Sequence, residues 1–311
     1  MTSLRILFAG SPAAAVPSLK RLVSSSHEVI SAVTREDSPQ GRRRVLTPTP
    51  VAQAADDAGV PIIRANRLAP VTDAIAELAP DLGVVVAYGG LIRRPLLELP
   101  RLGWINLHFS LLPAWRGAAP VQRALMAGDT YTGAAVFQLV DELDAGPVYA
   151  TLTVPIGAND TAGVLLESLS EQGAELLSTV VDALADGTAV ATPQEGTATS
   201  APKLTLEDGK LQLTRAAMEL AAQIRGVTPE PGAFVIVDGE RFKILEATAL
   251  PPQESPEALA SGVFGLVGGR VVLGTASGVL ELRRVQAAGK RAMDAADWWR
   301  GRPSDRHTVA E

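Results

Sequence analysis

The chain of 311 residues contains no cysteine, which excludes disulfides, thiol nucleophiles and zinc–thiolate sites together. Histidine is scarce as well. His27, His108 and His307 lie far apart, so no multi-histidine metal site is expected. Aromatic residues are only 4% of the total, which leaves the core to Ala, Val, Leu and Ile. No apolar run approaches the roughly 20 residues of a membrane span. The opening LRILFAGSPAAAV is broken by Gly10, Ser11 and Pro12 too early for a secretory leader, so a cytoplasmic setting is expected. The first turn lacks the G-x-G-x-x-G spacing of a dinucleotide site. Positive charge is also not in excess: the net charge is -6, so a nucleic-acid or anionic-membrane partner would need a local basic patch.

What is present alternates. LRILFAG, HEVISAVT, PIIRA, DLGVVVAYG and GWINLHFS read as strands, some apolar throughout as in strands buried on both faces. Helical spacing falls between them at 13–23, 51–58, 72–78 and 119–127. The strands TGAAVFQLV and GPVYATLTVP and a long helix over 161–185 complete the region. This order implies a doubly wound, mainly parallel α/β sheet of Rossmann-like type. The stretch around 187–203, rich in small residues with Pro and Gly, reads as a linker. Beyond it a short helix near 216–224 precedes brief strands separated by D-G and G-G turn signals. A small β-barrel of the oligonucleotide/oligosaccharide-binding (OB-like) kind is expected. The expected division is 1–188, a linker 189–204, and 205–311.

Two basic patches interrupt the acidic chain: Arg42, Arg43 and Arg44 in a Pro-flanked loop, and a run of seven basic against three acidic residues over 283–306. Both sit in loop-like stretches, which leaves phosphate binding open beside the plainer reading of a solvated face. Trp298 and Trp299 are expected to pack a final helix, and His27 and His307 to lie on the surface.

An open α/β sheet binds ligands beyond the carboxyl ends of its strands. Asn106 and His108 end the strand GWINLHFS; two apart in an extended segment, they share one face. Asp144 lies in LDAGP, a turn after the next strand. An amide that donates to a developing oxyanion, an imidazole and a carboxylate form a coherent set for acyl or formyl transfer to an amine. A satisfied buried histidine and a turn-forming aspartate remain open as alternatives on the residues alone. The loop LLPAWRGAAP then fixes backbone geometry through Pro113, Gly117 and Pro120.

N-x-H-x-SLLP-x-WRGAAP followed by LDAGP resembles the formyltransferases that use 10-formyltetrahydrofolate. DSPQGRRRVLTPTPV, SAPKLTLEDGKL and VQAAGKRAMDAADWWRGRP are similar to the branch of that family that formylates methionyl-tRNA. The resemblance implies that Asn106, His108 and Asp144 are catalytic. It places Ser110, Leu111, Leu112 and Pro113, with Tyr88, Gly89, Leu91 and Ile92, at the site of 10-formyltetrahydrofolate, a co-substrate. It assigns Arg42, Arg43 and Arg44 to initiator tRNA, with the segment 205–311 as a tRNA-binding domain. No metal and no membrane are implied, and a monomer is expected. The sequence departs from the family at Phe109, usually Gly or Ala, which could narrow the pocket mouth, and at Ala114, usually Arg, which removes one possible substrate contact; the effect of either is not legible in the sequence. Leu213 and Glu230 stand where Trp is common. Formyl transfer to another amine, such as an amino sugar or glycinamide ribonucleotide, and a non-catalytic RNA-binding relic are the alternatives.

Overall fold

A computed structural model describes residues 2–41, 44–251, 259–301 and 310. The chain forms two compact units. One holds the chain up to Pro120 with Tyr131–Pro155 and Leu166–Pro202; the other gathers Val121–Thr130, Ile156–Leu165 and the chain from Lys203 onward.

The first unit is built on β1 (Arg5–Gly10), followed by α1 (Val16–Val23), β2 (Glu28–Thr34), a hairpin of β3 (Ser38–Gln40) and β4 (Val45–Thr47), and α2 (Pro50–Asp57). Next come β5 (Ile62–Arg64), α3 (Thr72–Glu77), β6 (Leu82–Val86), β7 (Trp104–His108) and the short β8 (Arg116–Gly117). After α4 (Pro120–Ala127), which beyond Pro120 belongs to the second unit, follow β9 (Tyr131–Gln138), β10 (Val148–Pro155), α5 (Ala162–Ala185), in this unit from Leu166 on, and the short β11 (Ser200–Ala201). The main sheet has the order β10-β9-β7-β6-β1-β2-β5. Its pairs from β5 to β7 are parallel, whereas β9 runs antiparallel to β7 and β10 to β9.

Central β1 is buried on both faces, with Ile6, Leu7 and Phe8 fully inside, each worth about 1.5–3 kcal/mol of burial. Gly83 of β6 lets the neighbouring indole lie flat on the backbone. A Cβ there would come within 2.1 Å of the Trp104 ring, whose Nε1–H donates to the Leu96 carbonyl at 2.8 Å. His27 is not on the surface as expected but buried. Its Nδ1 accepts from the Leu4 amide at 3.2 Å, and its Nε2 meets Asp182 Oδ1 at 3.1 Å.

The stretch expected to be a plain linker is bonded along its length to the first unit. Thr192 bridges Val148, and β11 pairs in parallel with β8. Its low-complexity composition carries no periodic signal because it is held as a single strap, bond by bond, rather than as a face.

In the second unit α6 (Ala217–Gly226) packs on β12 (Ala233–Val237), β13 (Glu240–Ala249), β14 (Phe264–Val267), β15 (Arg270–Gly274), β16 (Val279–Gln286) and β17 (Met293–Asp294), with α7 (Ala295–Arg300) at the end. The order is β12-β13-β16-β15-β14, with β17 on β16, all antiparallel. The turn signals act as read: Asp238 and Gly239 stand at φ 51° and 77°, and Gly268 and Gly269 at 55° and 80°, as two-residue hairpin turns of this hand require. Trp298 packs at 4.6 Å from Phe242 and 5.0 Å from Phe264 between ring centres, a packing role for that residue. His307 lies outside the described residues.

Candidate active site

β7 lies between β6, parallel to it, and β9, antiparallel to it. Asn106 is half-buried and His108 is buried. Asp144, also buried, joins His108: its Oδ2 lies 3.9 Å from His108 Nδ1. The route differs from the one expected from strand ends. Because β9 is antiparallel to β7, Gln138 finishes beside Ile105, at the start of β7. The loop 139–147 therefore folds back along the strand to bring Asp144 to His108. The reversal is made with Asp144 itself at φ 49°, in the left-handed region, at a cost of about 1–2 kcal/mol for a residue with a Cβ.

The imidazole is fixed from two sides. Its Nε2 lies 2.9 Å from the Trp115 carbonyl; a carbonyl only accepts, so Nε2 carries the proton and Nδ1 faces Asp144 with its lone pair. Burial pushes the His108 pKa below its ordinary value, opposed by the Asp144 charge and the Trp115 hydrogen bond, so the ring is held neutral with a proton acceptor turned toward a carboxylate. The Phe137 ring of β9 meets the imidazole edge-on at 6.4 Å. Asp144 Oδ2 in turn accepts the Gly117 amide at 2.8 Å. The Asn106 carboxamide makes no hydrogen bond to the protein among the described residues.

The loop from Ser110 to Ala119 is stiffened from within and from the strap. Ser110 Oγ donates to the Ala114 carbonyl at 2.6 Å. Thr199 Oγ1 accepts the Trp115 amide at 2.9 Å, and the Thr199 carbonyl accepts the Arg116 amide at 2.8 Å. Gln194 bonds Arg116 on one side and the carbonyls of Asp144 and Gly146 on the other. Sequence reasoning missed Gln194 and Thr199: each is one polar residue in a stretch with no period, and only the paired partners reveal it.

The remaining candidates differ in burial and in what they touch. Tyr88 is buried, with its hydroxyl donating to the Ala65 carbonyl at 2.6 Å and its own carbonyl accepting from Ser11 Oγ. Gly89 stands at φ 79° against the Arg35 guanidinium. Leu91 is 60% exposed, while Ile92 packs on the core cluster of Trp104 and Tyr88. The Ser110 hydroxyl is buried and spent inside its loop; Leu111 reaches toward Gly133 of β9. Leu112 and Pro113 are half-buried, and the Pro113 carbonyl accepts the Thr199 amide at 3.3 Å. Phe109 is 6% exposed and Ala114 half-buried. Arg44 is exposed in the turn just before the hairpin strand β4, whereas Arg42 and Arg43 lie outside the described residues. Among the described residues no His/Cys/Asp/Glu group could hold a metal ion, and no helix is long and apolar enough to cross a membrane.

Known proteins resemble this chain along its length. Residues 4–181 match the formyl transferase family model, and residues 203–303 match that of the formyl transferase C-terminal domain. The methionyl-tRNA formyltransferase of Leifsonia xyli subsp. xyli is 58% identical over 304 residues, 96% of this chain and 97% of that protein. That of Clavibacter sepedonicus is 56% identical over 299 residues, again 96% and 97%. Among solved structures, WlaRD, a sugar 3N-formyl transferase crystallised in the presence of dTDP and 5-N-formyl-THF, superposes with a TM-score of 0.68 at 17% identity. That match covers 94% of this chain and all of the other and extends to the fold alone. With family models covering both parts of the sequence and relatives this similar end to end, the chain belongs to the formyl transferase family.

Proposed function

We propose that this chain transfers the formyl group of 10-formyltetrahydrofolate to the α-amine of methionyl initiator tRNA, the step that readies that tRNA for the start of translation. The observation that carries the reading is the buried His108–Asp144 pair beside the uncommitted Asn106 amide, in a chain 58% identical to a methionyl-tRNA formyltransferase. Folate would be bound as a co-substrate, with the apolar Leu91 and Leu112 available to its ring and Asn106 to its formyl oxygen. Tyr88, Gly89, Ile92, Ser110, Leu111 and Pro113 shape that region from behind. Its formyl carbon is what the amine attacks.

Asn106 donates to the formyl oxygen as negative charge collects there. The Trp115 carbonyl holds the His108 Nε2 proton, so the oxyanion relies first on Asn106. His108 adds positive charge once Nδ1 is protonated. Asp144 and Nδ1 accept the proton that the amine loses as its bond to carbon forms, and return one to the departing folate nitrogen as the old C–N bond breaks. Neither a metal nor a covalent enzyme intermediate takes part in these steps.

In this reading residues 1–188 carry the chemistry, 189–204 connect, and 205–311 with Arg42, Arg43 and Arg44 grip the tRNA as a monomer in the cytoplasm. Binding through phosphates makes the KM for tRNA rise as salt rises. Formylation of methionyl-tRNA assayed beside amino-sugar nucleotides and glycinamide ribonucleotide tests the whole assignment. Turnover with a small amine but not with the tRNA would overturn the substrate. No turnover with any of them would favour a non-catalytic role.

A further inference from the structure

One side chain of the strap touches both halves of the site without reaching a reacting group. Gln194 Oε1 accepts from Arg116 Nη2 at 2.8 Å and Nε at 3.2 Å. Its Nε2 donates to the Asp144 carbonyl at 2.8 Å and to the Gly146 carbonyl at 2.9 Å. Both lone pairs and both protons of the carboxamide are thereby used. The two loops it joins are those that hold His108, since Trp115 supplies the carbonyl on Nε2 and Asp144 the carboxylate toward Nδ1.

Asp144 needs such a hold. A left-handed non-glycine residue persists only where its surroundings over-determine it. Two contacts do so here: the Gly117 amide on the carboxylate and Gln194 on the main-chain carbonyl. Gly146 leaves the loop no slack, because a Cβ there would sit 1.7 Å from the Gln138 carbonyl oxygen. The strap backbone has anchors of its own on either side of Gln194. They are the Thr192–Val148 bridge and the pairing of Ser200 and Ala201 with Arg116 and Gly117. Loss of the Gln194 side chain would therefore leave the strap in place, with Arg116 still paired to Glu142 at 3.3 Å, and free the Asp144 turn.

We propose that Gln194 is a positioning residue for formyl transfer: its carboxamide sets the turn that aims Asp144 Oδ2 at His108 Nδ1 and locks that turn to the loop carrying Trp115. The catalytic part rests on the function proposed above; the positioning part rests on the hydrogen bonds alone. Gln194→Ala removes all four bonds. Gln194→Glu keeps the acceptors for Arg116 but turns a carboxylate oxygen against two carbonyl oxygens, so it breaks only the Asp144 half.

The test uses the full chain. In both variants kcat for formylation of methionyl-tRNA should fall about 10- to 100-fold, the scale of a displaced catalytic group. KM for tRNA and for folate should stay within about twofold. A scaffold role would lower the melting temperature without this split. The ring-nitrogen NMR shifts of His108 at neutral pH give a readout independent of turnover. They should move in both variants toward those of Asp144→Asn. Unchanged kcat in Gln194→Glu, or unchanged His108 ring shifts in either variant, overturns the proposal. If wild-type protein proves unable to formylate methionyl-tRNA, the proposed function fails, while the ring shifts still decide whether Gln194 aims Asp144. Gln194→Met, close to glutamine in length, takes the place of the alanine variant if that one does not fold.

Discussion

The two loops that meet at His108 are rigid for different reasons. The loop 110–119 carries much of its own stiffness: Pro113 and Pro120 restrict the backbone, Ser110 bonds Ala114 within the loop, and Gly117 takes a φ of 126° open to glycine. The loop 139–147 borrows its stiffness. Asp144 holds a left-handed conformation because Gly117 and Gln194, both from elsewhere in the chain, bond it on two sides. A self-stiffened loop tolerates the loss of one outside contact. A borrowed geometry does not, so the aim of Asp144 should be the most fragile part of the site.

The sharpest test of that contrast removes the aimed groups themselves. Asp144→Ala should lower the formylation rate by about 10²–10⁴, the range for a lost acid–base group. Asn106→Ala should cost about 10²–10³, the range for one oxyanion donor. Neither should unfold the chain, and circular dichroism with a thermal melt checks this. Near-normal turnover in either variant would remove that residue from the mechanism.

Next in size is Gly117→Ala, which strikes both loops at once. The added Cβ would stand 2.7 Å from the Ala201 carbonyl oxygen at a φ that side chains rarely adopt. A loss of about 2–3 kcal/mol is expected from strain together with the displaced β8–β11 pairing. The Gly117 amide would also move off Asp144, so turnover should drop beyond what the lost stability explains. A variant that melts early yet turns over normally when cold would show that the Gly117 contact is not needed to aim Asp144.

How far the sequence reveals each loop follows from the same contrast. Prolines, glycines and the Asn106–His108 spacing are properties of single residues or of short intervals, so the loop after β7 and the shared face of its two polar residues are legible directly. The parallel core was legible too, because strands such as LRILFAG are apolar on both faces. The fold-back that delivers Asp144 was not. It depends on β9 running antiparallel to β7, and strand direction leaves no mark on a short apolar run. Gln194 and Thr199 were invisible because a hydrogen bond across 48 to 84 residues has no local pattern. His27 was misread for a related reason: its partners are a main-chain amide and Asp182, and neither is near it in sequence.

Acid offers a milder perturbation of the pair. The folded chain holds His108 neutral, because burial lowers its pKa below the ordinary value despite Asp144 and Trp115. The unfolded chain takes up the proton near pH 6.5. Below about that pH the unfolded state therefore binds more protons than the folded one, and stability falls as the pH is lowered toward the depressed folded value. Above it the contribution is present in full. Melting temperatures measured from about pH 7.5 down to about pH 5 should decline in wild type and decline less steeply in His108→Gln. Parallel slopes would place the acid sensitivity in another group.

The smallest expected effect separates the strap's backbone from its side chains. Thr199→Ala removes the acceptor of the Trp115 amide but leaves the Thr199 main-chain bonds to Arg116 and Pro113 in place. A loss of about 1 kcal/mol is expected, the usual worth of one such hydrogen bond, and the exposure of Thr199 lets water replace part of it. Because the loop 110–119 is stiff on its own account, the Trp115 carbonyl should stay on His108 Nε2 and kcat should change by less than about threefold. Gln194→Ala removes contacts on the same strap, yet acts on the turn at Asp144, which is held from outside its loop. If Thr199→Ala lowered kcat as much as Gln194→Ala, the loop after β7 would be leaning on the strap as heavily as Asp144 does. The two halves of the site would then be held in the same way.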